Sequence, residues 1–215
     1  QTCALPICAT VGDLEDIVPG QVALAGYFCD NLDGPAPGQR YLARQLRYAS
    51  RPGMAPANAI DLGDVNVFPL EPAKHFSAVQ SQCAAVLKTG ARMVLIGGDS
   101  SGLKALRVAA RNVSGADVTV VSVAEGNTRN LHKKQPVILS IDLHELAGTW
   151  VSHPQRLIGL SPAQMISLID TAPGNIFGAV IFGLAPALDS RGQTETHAAL
   201  AILQALAARL EKGAP

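Results

Sequence analysis

Asp142 and His144 stand two positions apart in the run Ser140-Ile141-Asp142-Leu143-His144. On an extended strand that spacing sends both side chains from one face. A carboxylate beside an imidazole is half of a single-metal site of the kind that activates water. Such a site needs a third donor, and Glu125 and His132 are the nearest candidates. The plainer use of the same pair is an aspartate accepting backbone amides beside a solvated histidine.

A second arrangement centres on Ser100. Gly98-Asp99-Ser100-Ser101-Gly102 matches G-x-S-x-G between a strand and a helix, the context of a nucleophile elbow. Asp142 or Asp189, and then His197, follow in triad order. The same glycines also serve an ordinary strand-to-helix turn. Gly97-Gly98 could hold an anion at a helix N-terminus, but no dinucleotide or Walker motif accompanies it. His75 and His153 adjoin a helix start and a proline turn, which suits surface or capping roles. Trp150 suits packing, and the arginines from Arg40 to Arg51 suit a solvated helix face.

Short apolar runs and amphipathic ones alternate along the chain. Strands are expected at residues 21–28, 59–62, 92–96, 117–124, 136–143 and 176–184. Helices are expected at 38–50, 72–89, 101–111, 161–171 and 194–210. Pro72 and Pro162 suit first helical turns, and Ser161 suits an N-cap. Most strands do not alternate polar and apolar residues, so both their faces are covered. That indicates a parallel sheet between helix layers, a three-layer α/β/α sandwich of about six strands. Its site belongs at the carboxyl ends of the strands. Those ends carry Asp99, Ser100, Glu125, Asp142 and His144, which together form the expected cleft.

Composition narrows the function. Of 215 residues, 48% are hydrophobic and 16% charged, which excludes a disordered chain or a coiled coil. Seventeen basic residues balance seventeen acidic ones, and no basic run exceeds Lys133-Lys134, so no nucleic acid or anionic membrane partner is expected. No apolar stretch reaches the roughly 20 residues of a membrane span. Residues 1–7 read QTCALPI, which is also one translation frame of a widely used sequencing adapter. They are set aside as read-through, leaving 8–215 as one domain. Cys8, Cys29 and Cys83 then remain, odd in number and irregularly spaced, as suits reduced thiols in the cytoplasm.

The motifs, in order, resemble the ureohydrolase superfamily: arginase, agmatinase and formimidoylglutamase. Pro37-Gly38-Gln39-Arg40 and Arg47-Tyr48-Ala49-Ser50 are similar to its P-G-A-R loop and R-E-A-S helix end. Asp61-Leu62-Gly63-Asp64-Val65 resembles D-L-G-D-V, and Gly97-Gly98-Asp99-Ser100-Ser101 resembles G-G-D-H-S. Ser140-Ile141-Asp142-Leu143-His144 resembles S-I-D-I-D. Pro186-Ala187-Leu188-Asp189 resembles the E-V-N-P-x-x-D ending. The resemblance runs from about residue 21 to 210 and implies an arginase-like fold.

It also implies two Mn²⁺ ions bridged by a hydroxide that attacks a guanidinium carbon. Here the ligand positions depart from the family. Ser100 replaces the first histidine, and Ala124-Glu125-Gly126-Asn127-Thr128 replaces D-A-H-x-D. Asp142 is kept, His144 replaces the second aspartate, and Gly183 aligns with the substrate-facing glutamate. One carboxylate and one imidazole cannot offset two divalent cations, so no metal is expected, with Asp142 and His144 the only weak candidates.

Ala124 and Asp142 are only 18 positions apart, a much shorter interval than the family's. The family sheet has eight strands ordered 2-1-3-8-7-4-5-6. Loss of the two strands in that interval leaves the order 2-1-3-6-5-4, with residues 117–124 at an apolar edge that invites a partner. The expected role is therefore a metal-free pseudoenzyme, an interaction or regulatory subunit that pairs with itself or with an active paralogue. Two alternatives stand beside it: a manganese-dependent hydrolase of a guanidino or formimino C–N bond using Asp142 and His144, and a hydrolase using Ser100.

Overall fold

A computed structural model describes residues 10–30, 38–50, 58–68, 70–125, 135–147, 159–172, 175–189 and 191–212. Residues 1–7, His132, Trp150 and His153 lie outside the described residues. The strands are β1 (Thr10–Val11), β2 (Val22–Gly26), β3 (Ala59–Asp64), β4 (Arg92–Ile96), β5 (Thr119–Ser122), β6 (Val137–Asp142) and β7 (Ile176–Phe182). The helices are α1 (Leu42–Ala49), α2 (Pro72–Lys88), α3 (Ser101–Ser114), α4 (Pro162–Asp170) and α5 (Thr194–Lys212).

The strands form one sheet in the order β1-β3-β2-β4-β7-β6-β5. Every pairing is parallel. Leaving β1 aside, this is the six-strand order 2-1-3-6-5-4. β1 is an addition outside β3, pairing Thr10 with Ile60 and Val11 with Asp61. A two-residue strand is too short to show a period. β5 ends the order, as that topology requires, with Val120 at 36% exposure.

Side chains leave the strands alternately into two apolar layers. Val22, Leu24, Val94, Ile96, Leu139 and Ile181 join α1, α4 and α5 on one face. Ala23, Ala25, Met93, Leu95, Ile138 and Val180 join α2 and α3 on the other. This double cover explains the absence of polar alternation. Cys83 of α2 is fully buried in the second layer, and burial pushes its thiol up to about 12. Neither Cys29 nor Cys83 is in a disulfide.

One helix residue departs from the expected solvated face. Arg47 points inward, donating to both Asp61 oxygens at 2.9 and 3.0 Å and to Asp64 Oδ1 at 2.6 Å. Burial works against its charge, but the bonds to Asp61 and Asp64 outweigh it and hold the guanidinium above its usual range. This fork ties α1 to the end of β3 and sets that corner of the sheet's mouth.

Candidate functional site

Strand β6 stops at Asp142, one residue short of the expectation, and Leu143–Glu145 turn into a 3-10 helix. The cause is local. The Asp142 carboxylate accepts the His144 backbone N–H at 2.9 Å and caps the turn. The two side chains therefore do not leave one strand face together. His144 Nδ1 instead lies 3.0 Å from Asp142 Oδ1, each side chain about one-third exposed. A carboxylate only accepts, so Nδ1 carries the proton and Nε2 is left as an acceptor. The Gln39 side-chain amide donates its N–H to Nε2 at 3.4 Å. Its oxygen in turn accepts the Gly183 N–H at 3.2 Å. The ends of β6 and β7 and the 3-10 turn before α1 are thus joined by one polar chain.

Gly183 has φ of +92°, and a Cβ there would sit 2.3 Å from Asp142 Oδ1 and 2.9 Å from His144 Nδ1. The dyad occupies the space that any larger side chain at this position would need.

Ser100 is placed at the end of the β4 turn, before α3, with φ of −67° and ψ of −8°. That is relaxed helical backbone, without the strain of a nucleophile elbow. The sharp turn falls on Gly97 and Gly98, both with positive φ, and a Cβ on Gly98 would lie 2.3 Å from the Cys29 carbonyl. Nor are the remaining triad residues gathered with it. Asp189 accepts the N–H groups of Glu195 and Thr196 at the start of α5. His197 is exposed, its Nδ1 2.8 Å from the Gln193 carbonyl.

Beneath that turn lies a network that the spacing of residues did not disclose. Asp99, 3% exposed, accepts the backbone N–H and the hydroxyl of Ser101. Ser101 Oγ is 2.6 Å from the Tyr27 hydroxyl, which is 2.7 Å from His75 Nε2. His75 Nδ1 accepts the Phe68 N–H at 3.2 Å. The last bond sets the polarity: Nε2–H donates to Tyr27, Tyr27 to Ser101, and Ser101 to Asp99. His75 is therefore a core residue, 1% exposed, and not a surface or capping one. Burial lowers its basicity, with Asp99 opposing, and burial raises the Tyr27 hydroxyl far above its usual range.

Glu125 is exposed at the end of β5. Among the described residues no three His, Cys, Asp or Glu side chains gather as metal donors. None of their helices is long and apolar enough to cross a membrane.

The model of the arginase family matches residues 20–124. This is an arginase-family fold. Proclavaminate amidino hydrolase from Streptomyces clavuligerus superposes with a TM-score of 0.79 at 16% identity, covering 99% of this chain and 98% of that one. Formimidoylglutamase from Bacillus subtilis gives 0.76 at 14%, covering 99% and 93%. Trypanosoma cruzi formiminoglutamase, solved with Mn²⁺, gives 0.69 at 14%, covering 90% and 93%. No curated protein matches the sequence. The superpositions show the fold, and at these identities they carry no activity with them.

The donor set tests whether a manganese pair fits. Two cations about 3.5–4 Å apart need several carboxylates. The matching positions hold Ser100, Ala124 to Thr128, Asp142 and His144. Asp142 Oδ1 already takes both the amide and the imidazole of His144, and Gly183 has no room for a carboxylate-bearing side chain. Among the described residues, the donors at these positions do not fit the pair.

Proposed function

We propose that this arginase-family chain is a pseudoenzyme, without the manganese pair and without amidine hydrolysis, acting as an interaction or regulatory subunit. Its partner is a second copy of itself or an active paralogue in the cytoplasm, a compartment that suits Cys29 and Cys83, neither of them in a disulfide. The observation that carries this reading is the Asp142–His144 contact at 3.0 Å. The two donors that survive at the ligand positions are spent on each other and on Gln39. The relaxed backbone of Ser100 argues against a serine hydrolase in its place.

Equilibrium dialysis against Mn²⁺ followed by elemental analysis tests the reading. Sub-stoichiometric metal is expected, together with no urea released from arginine, agmatine or guanidinobutyrate. Stoichiometric manganese, or turnover that depends on it, overturns it.

A further inference from the structure

Two exposed patches of opposite character lie on opposite faces of the sheet. On α1 and the residue before it, Tyr41, Arg44 and Tyr48 recur at helical spacing along one stripe. The tyrosines are 38% and 65% exposed, and the Arg44 side chain 54%. The guanidinium groups of Arg40 and Arg44 stack on Phe28 at 5.4 and 4.8 Å. Stacking holds both cations in place before any partner arrives. Their nearest carboxylates sit on the inner side: Asp30, 3.5 Å from Arg40, and Asp64, 3.9 Å from Arg44, with 3% and 20% side-chain exposure. Residues 34–60 contain no Asp or Glu. The outward surface is cationic and aromatic, the composition of interface anchors.

The second patch is the knuckle between β1 and β2. Asp13, Leu14, Glu15, Asp16 and Val18 are all exposed, Leu14 at 45% and Val18 at 54%. The Asp13 N–H bonds Asp16 Oδ2 at 2.8 Å and keeps the turn shut. The knuckle itself carries three carboxylates and no cation, so its own surface is acidic and apolar. Beside it a cavity of about 180 Å³, lined by Leu14, Leu62, Val65 and Val86 and also by Asp13, Asp64 and Gln82, offers a hole for an aromatic side chain with a polar tip.

The faces are fixed by the core. Ile17, under the knuckle, packs in the α2–α3 layer. Leu42 and Leu46, under the stripe, pack in the layer with α5. A single chain cannot bring its own knuckle onto its own stripe. We propose that the Asp13–Val18 knuckle of one copy docks on the Tyr41–Arg44–Tyr48 stripe of a second copy. Acidic groups meet stacked guanidiniums, and Leu14 and Val18 meet the tyrosine faces. The contact gives the interaction role proposed above a partner, and its biological use rests on that reading.

Sedimentation velocity of the full chain over a concentration series, in about 0.05 M and 0.5 M salt, tests it. The chain should self-associate, more weakly at high salt. Arg44→Glu and Glu15→Arg should each weaken association about tenfold or more. The two changes in one chain, which exchange the charges, should restore it. A mixture of the two single variants should also associate, because each keeps the patch the other lacks. Tyr48→Ser and Leu14→Ser, at exposed positions, should weaken it with the thermal midpoint unchanged. A chain that stays monomeric throughout overturns the inference, as does association indifferent to these variants or abolished only by Val120→Lys at the β5 edge. The readout involves neither metal nor turnover. Manganese-dependent hydrolysis by a chain that docks in this way would defeat the pseudoenzyme reading alone.

Discussion

The Asp142 carboxylate and the His144 imidazole meet at 3.0 Å, with the carboxylate also capping the turn that carries the imidazole. A metal half-site requires the same two groups to converge on a third point. Here the cap ends β6 at Asp142, and the ring folds back over its neighbour. Gln39 then takes the remaining ring nitrogen, and Gly183 N–H holds Gln39.

Gly183 makes this arrangement possible, so replacing it should be costly. In Gly183→Ala the new Cβ meets Asp142 Oδ1 at 2.3 Å and must adopt a φ of +92°. A loss of about 1–3 kcal/mol is expected in urea unfolding. A neutral Gly183→Ala would mean that the dyad yields freely.

Arg47 and Arg44 sit one turn apart on α1 and should behave differently. Arg47→Ala leaves Asp61 and Asp64 facing each other without their shared cation, Asp61 in particular being buried. Breaking a buried pair of this kind costs about 3–5 kcal/mol. The Arg44 side chain is 54% exposed and 3.9 Å from Asp64, so Arg44→Ala should cost less than about 1 kcal/mol. Chemical denaturation of both variants side by side makes the comparison, and equal losses would contradict the ion-pair geometry.

The order of the six long strands was readable because their unalternating apolar runs and the family motifs occur in one sequence order. β1 escaped because two residues carry no pattern. The spacing of Asp142 and His144 implies one shared strand face, yet their orientation depends on a cap that turns the strand end into a 3-10 helix. Arg47 and His75 look like surface residues by local spacing. Their burial comes from Asp61, 14 positions away, and Tyr27, 48 positions away. Gln39 joins His144 across 105 positions, and nothing about a lone glutamine announces that.

Cys83 offers a direct probe of the α2–α3 layer. Its fully buried thiol is raised to about 12, so almost no thiolate exists at pH 8. Iodoacetamide should leave Cys83 unmodified in the native chain and label it once denaturant is added, as read by peptide mass spectrometry. Rapid native labelling at Cys83 would show that α2 opens far more readily than its packing implies.

The Tyr27–His75 network should give stability a pH dependence with a definite sign. Burial lowers the His75 pKa below the 6.5 of the free side chain. Between those two values the unfolded chain binds a proton that the folded chain refuses, so acid favours unfolding. The contribution is complete above about pH 6.5 and is lost as pH falls toward the depressed folded value. A protonated ring would also present an N–H to the Phe68 N–H, breaking the bond that orders the relay. Urea midpoints should therefore fall from pH 7 to pH 5.5, and His75→Gln should flatten that part of the profile while lowering stability at pH 7. Tyr27→Phe removes the bridge between Ser101 and His75 and should cost about 1–3 kcal/mol at pH 7. An unchanged slope in His75→Gln would assign the acid sensitivity to other groups.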